Sequence, residues 1–308
     1  MNTLVTGGAG FIGSHLVDGL LAAGHTVRVL DDLSTGSDAN LAAVRDRVEI
    51  VRGSITRADD VERAVQGCGL VFHLAALPSV AKSVEDPLAS HEVCATGTLR
   101  VLDAARRAGV QRLVYAGSCS AYGDQPGDVR HESDGFFPLS PYAAAKLAGE
   151  HYCSAFTAVY GLETVRLRFF NVFGPRQDAS NPYSGVIALF ITAMSRGKAP
   201  TIHGDGLQSR DFVYVGDVVQ ALIKASQAKD AAGKAYNIGS GISSSILDLV
   251  KHLNDLLGTK LQPIHGPARS GDIRFSQADI SRARADLGYA PTVSFRDGLA
   301  RTIASIRG

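Results

Sequence analysis

Apolar and polar positions along the first half of this chain switch repeatedly between a strand-like run and a helical period. A short apolar run at 4–6 gives way to glycines at 7, 10 and 13. Phe11, Ile12, Leu16, Val17, Leu20 and Leu21 then recur at helical spacing over 11–23, with Gly24 as the stop. A second run, 26–30, ends at Asp31. The alternation continues with 48–51 before 59–66, 70–75 before 87–108, 112–116 before 141–160, and finally 163–169. Strand and helix in strict succession predict the α/β class, with a doubly wound parallel sheet covered on both faces. From residue 170 the texture changes to Asn, Gly and Pro clusters between shorter elements. We therefore expect a nucleotide-binding domain over 1–170 and a smaller α/β substrate-binding domain over 171–308, interdigitated around a cleft.

The first turn carries chemistry as well as structure. Glycines at 7, 10 and 13 between a strand and a helix allow a tight turn, close approach of a pyrophosphate, and close packing of helix on strand. The helix N-terminus adds free N–H groups and a positive dipole end. Asp31, about 20 residues on, ends the second strand where a carboxylate can bind adenosine ribose hydroxyls. An acid there also repels a 2′-phosphate, which favours NAD over NADP.

In open α/β sheets ligands sit beyond the carboxyl ends of the strands. After the run 112–116 come Gly117, Ser118, Cys119 and Ser120, and later Tyr142 and Lys146 on a helix opened by Ser140 and Pro141. The i, i+4 spacing puts the phenol and the ammonium on one face, one turn apart. A phenol with a pKa of about 10 is a poor base at neutral pH unless a fixed cation stabilises the phenolate. Lys146 is that cation.

Bulk properties narrow the classes further. A net charge of +1 without a long basic run gives no support to a nucleic-acid or membrane-surface partner. Cys68, Cys94, Cys119 and Cys153 lack CxxC spacing and form no ligand set with the nine histidines, so free thiols and no metal are expected. No stretch reaches the ~18 uninterrupted apolar residues of a membrane span. With the first strand beginning by residue 4, no cleavable leader and a cytoplasmic address are expected.

Taken together, the motifs resemble those of extended short-chain dehydrogenases/reductases of Rossmann type, and among them the nucleotide-sugar 4-epimerases related to UDP-galactose 4-epimerase. The resemblance rests on TGGAGFIG at 6–13, DDLSTG at 31–36, HLAA at 73–76, Ser118 with YGD at 122–124, YAAAK at 142–146, RFFNVFGPRQ at 168–177, SRDFVYVGDV at 209–218, NIGSG at 237–241 and RSGD at 269–272. It implies that Tyr142 takes the proton of the sugar 4′-hydroxyl, that Lys146 holds the nicotinamide ribose, and that Ser118 hydrogen-bonds the reacting oxygen. It further implies NAD contacts from Gly7, Gly10, Phe11, Ile12, Gly13, Asp31, Ser34, Thr35, Gly36, Ser54, Ile55, Leu74, Ala75, Ala76 and Phe169, in addition to Tyr142 and Lys146. UDP-sugar contacts are implied for Ser79, Ser118, Ser120, Asn171, Gly185, Val186, His203, Arg210, Arg269, Asp272 and Ser276. Arginines suit pyrophosphate oxygens through bidentate pairing. The helices at 87–108 and 141–160 would pair across a two-fold axis as a homodimer.

Within that group the residues after Ser118 separate the reactions. The 4,6-dehydratases carry acids there, whereas Cys119 and Ser120 are poor substitutes for a general acid and base at neutral pH. Ser276, seven residues past Arg269, stands where epimerases confined to plain hexoses place a tyrosine; a small side chain leaves volume for an acetamido group. The segment 77–83 and the small residues Ser184 and Gly185 before Val186 point the same way. UDP-GlcNAc/UDP-GalNAc interconversion is therefore the expected activity, with UDP-Glc/UDP-Gal beside it. A UDP-glucuronate 4-epimerase or decarboxylase, a net oxidoreductase using the same Tyr and Lys, and a non-catalytic dinucleotide sensor are the alternatives. Asp32, Ser54 and Cys94 depart from the residues common in relatives.

Overall fold

The computed structural model describes residues 1–178, 185–268 and 273–307. Arg269, Asp272 and Ser184 lie outside them. Seven strands form the central sheet: β1 (Asn2–Thr6), β2 (Thr26–Asp31), β3 (Val48–Arg52), β4 (Leu70–His73), β5 (Arg112–Ser118), β6 (Glu163–Phe169) and β7 (Ala235–Ile238). Their order across the sheet is β3-β2-β1-β4-β5-β6-β7, with every neighbouring pair parallel. The expected doubly wound parallel sheet is thus present, and its last strand comes from the second half of the chain.

Alternate residues of each strand feed two separate cores, because successive side chains point to opposite faces. On one face Val5, Phe72, Val114 and Val165 pack with Leu16, Val17 and Leu20 of α1 (Phe11–Ala22) and with Val218 and Leu222 of a helix at Val215–Gln227. On the other, Leu4, Val71, Leu113 and Tyr115 pack with Val61 of α2 (Ala58–Val65), Val101 and Leu102 of α3 (Thr98–Arg107), and Phe156 of α4 (Pro141–Tyr160). Strands buried on both sides must be apolar throughout, which is why these runs read as continuous rather than alternating. A third core, including Phe173, Ile191, Phe212, Leu249 and Leu299, belongs to the second half alone.

The helical stretch expected at 87–108 is interrupted. An α-helix at Pro87–His91, capped by Asp86 on the N–H of Ala89, runs into a π turn at Glu92–Gly97 and only then into α3. The Thr98 hydroxyl donates to the Cys94 carbonyl across this turn at 2.7 Å. The apolar spacing alone does not register such a one-turn widening. Its consequence is local: Cys94 and Ala95 pack on Ala145, with Tyr142 against them. Among the described residues no helix is long and apolar enough to cross a membrane, and no group of three His, Cys, Asp or Glu side chains is placed to hold a metal ion. All four cysteines are free thiols.

Candidate active site

The glycine turn separates the demands of the fold from those of a ligand. Gly7 has φ 72°, and a Cβ there would lie 2.7 Å from the Ala75 nitrogen; at Gly13 a Cβ would lie 2.0 Å from the Gly7 carbonyl oxygen. Both glycines are required by the chain itself. Gly10 differs, since its Cβ would meet only the Gly7 oxygen at 3.2 Å. It caps α1, so its open side lies at the start of a helix whose first N–H groups lack partners within the helix. That is a cradle suited to a diphosphate.

Asp31 closes the turn from below. Its carboxylate accepts from the N–H of Ala9 at 2.8 Å and from that of Leu33 at 2.8 Å, and burial pushes its pKa up. Beside it a groove of about 490 Å³ is lined by Asp31, Asp32, Leu33, Arg52, Gly53 and Ser54. Ser54 donates its hydroxyl to Asp32 at 3.0 Å. Ser34 and Thr35 are exposed on the loop that Gly36 seats against Ala9. Ile55 differs from these positions: its side chain is buried in the core with Leu4, Leu30 and Val61, leaving only its backbone to meet a ligand. Phe169 is likewise a core side chain.

Ser118, Tyr142 and Lys146 converge at the carboxyl end of β5. Ser140 caps α4 by accepting from the N–H of Ala143 at 3.1 Å, and Pro141 occupies the first turn, which sets the phase of the helix. The Tyr142 phenol lies beside Ser118, whose oxygen lies 2.9 Å from the Ser120 hydroxyl and accepts from the Ser120 N–H. Burial raises the phenol's pKa, and the neighbouring Ser118 hydroxyl opposes that rise. Lys146 is 3 % exposed, and burial lowers its pKa. Its ammonium stands over the Tyr115 ring, 4.4 Å from the centroid.

On the other side of Ser118, Cys119 lies beside Ser276, with Arg210 and Asp211 close enough to influence it; burial drives its pKa up to about 12. A thiol in that state is no general acid or base at neutral pH. Arg210 and Asp211 sit on the strand Ser209–Tyr214, which pairs in parallel with Asn171–Phe173 and so sets Asn171 beside Phe212. Asp211 organises this edge. Its buried carboxylate accepts from the N–H groups of Ser240, Gly241 and Ala278 and from the Ser240 hydroxyl, at 2.6 to 3.1 Å. Ser79 caps the helix at Val80–Glu85, Gly185 and Val186 open the helix Val186–Ser195, and His203 contacts the Pro267 carbonyl at 3.3 Å. No described contact joins these four to Ser118, Tyr142 or Lys146.

Three organising residues escaped the reading of the sequence. Tyr115 and Asp211 lie inside strands, where the pattern marks only burial. His73 lies in HLAA but bonds within the fold: Thr98 donates to Cys94, so the Thr98 oxygen accepts from His73 Nε2–H at 2.9 Å, and His73 Nδ1 accepts from Thr6 at 2.7 Å. Thr6 in turn accepts from the N–H of Ala75. The imidazole is therefore neutral, and burial with Lys146 nearby depresses its pKa to about 3.

The fold is a Rossmann-type doubly wound α/β sheet, with Ser118 at the end of β5 and Tyr142 and Lys146 on α4 beside it. The chain belongs to the NAD dependent epimerase/dehydratase family, whose model matches residues 3–239. Its relatives place it among the extended short-chain dehydrogenase/reductase nucleotide-sugar epimerases. A UDP-glucose 4-epimerase of Mycolicibacterium smegmatis is 41% identical over 311 residues, covering 100% of this chain and 99% of that protein. Two solved structures have TM-scores of 0.95. One is a UDP-N-acetylglucosamine 4-epimerase from Methanobrevibacter ruminantium in complex with UDP-N-acetylmuramic acid, 37% identical, covering 99% of this chain and 98% of the other. The second is a UDP-glucose 4-epimerase from Thermotoga maritima with UDP-glucose, 38% identical, covering 100% and 99%.

Proposed function

We propose that this protein is an NAD-dependent UDP-sugar 4-epimerase acting through a 4-keto sugar, with UDP-GlcNAc/UDP-GalNAc as its main pair and UDP-Glc/UDP-Gal as a second. The observation that carries the reading is the placement of the Tyr142 phenol beside Ser118 at the end of β5, with Lys146 buried one helical turn beyond.

NAD fits the residues present. The open side of Gly10 and the N-terminus of α1 would take the diphosphate, Asp31 and its groove the adenosine, and Lys146 the nicotinamide ribose. When bound, NAD supplies a hydride acceptor for sugar C4 that later returns the hydride. The protein's own task is proton transfer. Tyr142, as phenolate, accepts the 4′-hydroxyl proton; Ser118 holds that oxygen within reach of the phenol; the Lys146 charge lowers the cost of the phenolate. On return, Tyr142 gives the same proton back to O4. Cys119 and Ser120 offer no acid to eliminate at C6, so the keto sugar is not dehydrated.

Sugar preference follows from the wall opposite Ser118. Ser276 is 6 % exposed and meets Cys119, so two small side chains stand where a tyrosine would fill the space of an acetamido group. Asn171 and Arg210, with Arg269 and Asp272, would hold the UDP moiety. Ser79, Gly185, Val186 and His203 would approach the substrate from the second lobe and the helix at Val80–Glu85. On this division residues 1–170 form the NAD domain and 171–308 the sugar domain, with β7 and the helix Val215–Gln227 lent back to the first.

A homodimer accompanies this reading. The groove between α3 and α4, about 630 Å³, is lined by Leu99, Tyr152, Phe156, Val159 and Tyr160, and Val159 is 70 % exposed. Sedimentation should give twice the chain mass. The substrate assignment is tested by comparing UDP-GlcNAc, UDP-Glc and UDP-GlcA side by side in the wild type and in Ser276→Tyr. The N-acetylated pair should be fastest in the wild type and lost selectively in the variant. Preference for UDP-GlcA, or equal losses on all sugars, would contradict it.

A further inference from the structure

We propose that Tyr115 is a positioning residue, whose ring face holds the Lys146 ammonium charged and in place beneath the reacting centre. This rests on the roles given above to Tyr142 and Lys146.

A buried ammonium needs an electrostatic partner, because burial favours the neutral amine. Among the described residues no carboxylate lies within ion-pair distance of Lys146. Glu150, one turn further along α4, is taken up by Arg168, whose Nε lies 3.0 and 3.1 Å from the two carboxylate oxygens. From the other elements the neighbours are His73 on β4, neutral in this network, and the Cys94 thiol in the π turn; Tyr142 and Cys153 share its own helix. What the ammonium does meet is the quadrupole of Tyr115, with 4.4 Å between Nζ and the ring centroid.

The ring is itself fixed from three sides. Tyr115 is fully buried, and its hydroxyl donates to the main-chain carbonyl of Lys146 at 3.0 Å. A Cβ at Gly149 would lie 2.4 Å from that hydroxyl oxygen, so the glycine makes room for the bond. The His73 ring packs against it with centroids 5.7 Å apart. One side chain three residues before Ser118 therefore grips both the backbone and the charge of the lysine that follows Tyr142 by one turn.

The test compares Tyr115→Phe, which keeps the ring, with Tyr115→Met, which keeps apolar volume without a ring; Tyr115→Leu serves if the methionine variant does not fold. All are assayed as full-length NAD-loaded protein. The Tyr142 phenolate is also titrated by ultraviolet absorbance, with Tyr142→Phe as the blank. Tyr115→Met should lose about 3- to 30-fold in kcat, with KM for the sugar held within about twofold. Its acid limb and its phenolate midpoint should both move to higher pH, and Tyr115→Phe should recover most of the rate. An unmoved acid limb and midpoint in Tyr115→Met, or a Phe variant as impaired as the Met variant, would overturn the proposal. Full turnover in Tyr142→Phe would instead remove the catalytic assignment beneath it. The absorbance titration is read without turnover and so tells the two failures apart.

Discussion

Glu150 and Arg168 form a buried ion pair across the interior of the fold, with the guanidinium of β6 bonded to both oxygens of the α4 carboxylate. The same guanidinium donates to the Tyr122 hydroxyl at 2.7 Å and lies over the Phe136 ring. It fixes the helix that carries Tyr142 and Lys146 to the strand beside Ser118. Removing one partner of such a pair leaves a buried charge, whereas removing both charges need not be costly. Arg168→Met should therefore destabilise by about 3–5 kcal/mol, while the double variant with Glu150→Gln should recover most of that loss. Urea unfolding of the three proteins checks it, and a double variant no better than the single would count against it.

His73 makes stability depend on pH in a defined direction. Its folded pKa lies near 3 against an ordinary value of 6.5, so between those limits the unfolded chain binds a proton that the native state refuses. Stability from this group falls as pH drops below 6.5, by up to about 1.4 kcal/mol per unit. Asp31 and Asp211, whose pKa values burial raises, act in the opposite sense. Comparison with His73→Gln isolates the histidine. The variant's unfolding free energy should fall less between pH 7 and 4.5 than that of the wild type.

Gly10→Ala and Gly13→Ala should part company. A methyl at Gly13 meets backbone at 2.0 Å, and one at Gly10 meets nothing nearer than 3.2 Å. Gly13→Ala is expected to unfold or express poorly. Gly10→Ala should keep its thermal midpoint without NAD and lose the stabilisation that added NAD gives the wild type. Calorimetry with and without NAD reads both.

Tyr142→Phe removes the phenol proposed to move the proton while sparing the surrounding packing. Its turnover should drop by about 10²–10⁴-fold, and UDP-sugar affinity measured by titration calorimetry should stay near that of the wild type. An unchanged rate would refute the role given to the phenol.

Much of the fold was legible in the sequence. The glycine turn, Asp31, and the Tyr142–Lys146 pair are each set by short-range geometry, a turn, a strand end and one helical repeat, and such geometry is written in spacing. The parallel sheet was legible for the same reason. What spacing does not carry is which distant segments meet. The entry of β7 beside β6, the π turn that brings Cys94 to Tyr142, and the placing of Ser276 beside Cys119 depend on contacts between segments far apart in sequence. Tyr115 illustrates the limit: inside an apolar strand it reads as core, and it is core, yet its ring and hydroxyl both serve Lys146.

The central claim is that the oxidation at C4 is reversed in place, so that no net redox change accompanies turnover. The most direct test mixes the purified NAD-loaded protein with UDP-GlcNAc, adds no free cofactor, and follows the sugar by NMR and the reduced cofactor by absorbance at once. The account predicts conversion to a mixture with UDP-GalNAc over many turnovers, with no stoichiometric build-up of reduced cofactor. Accumulation of reduced cofactor in step with a keto product, or no change at C4, would contradict it.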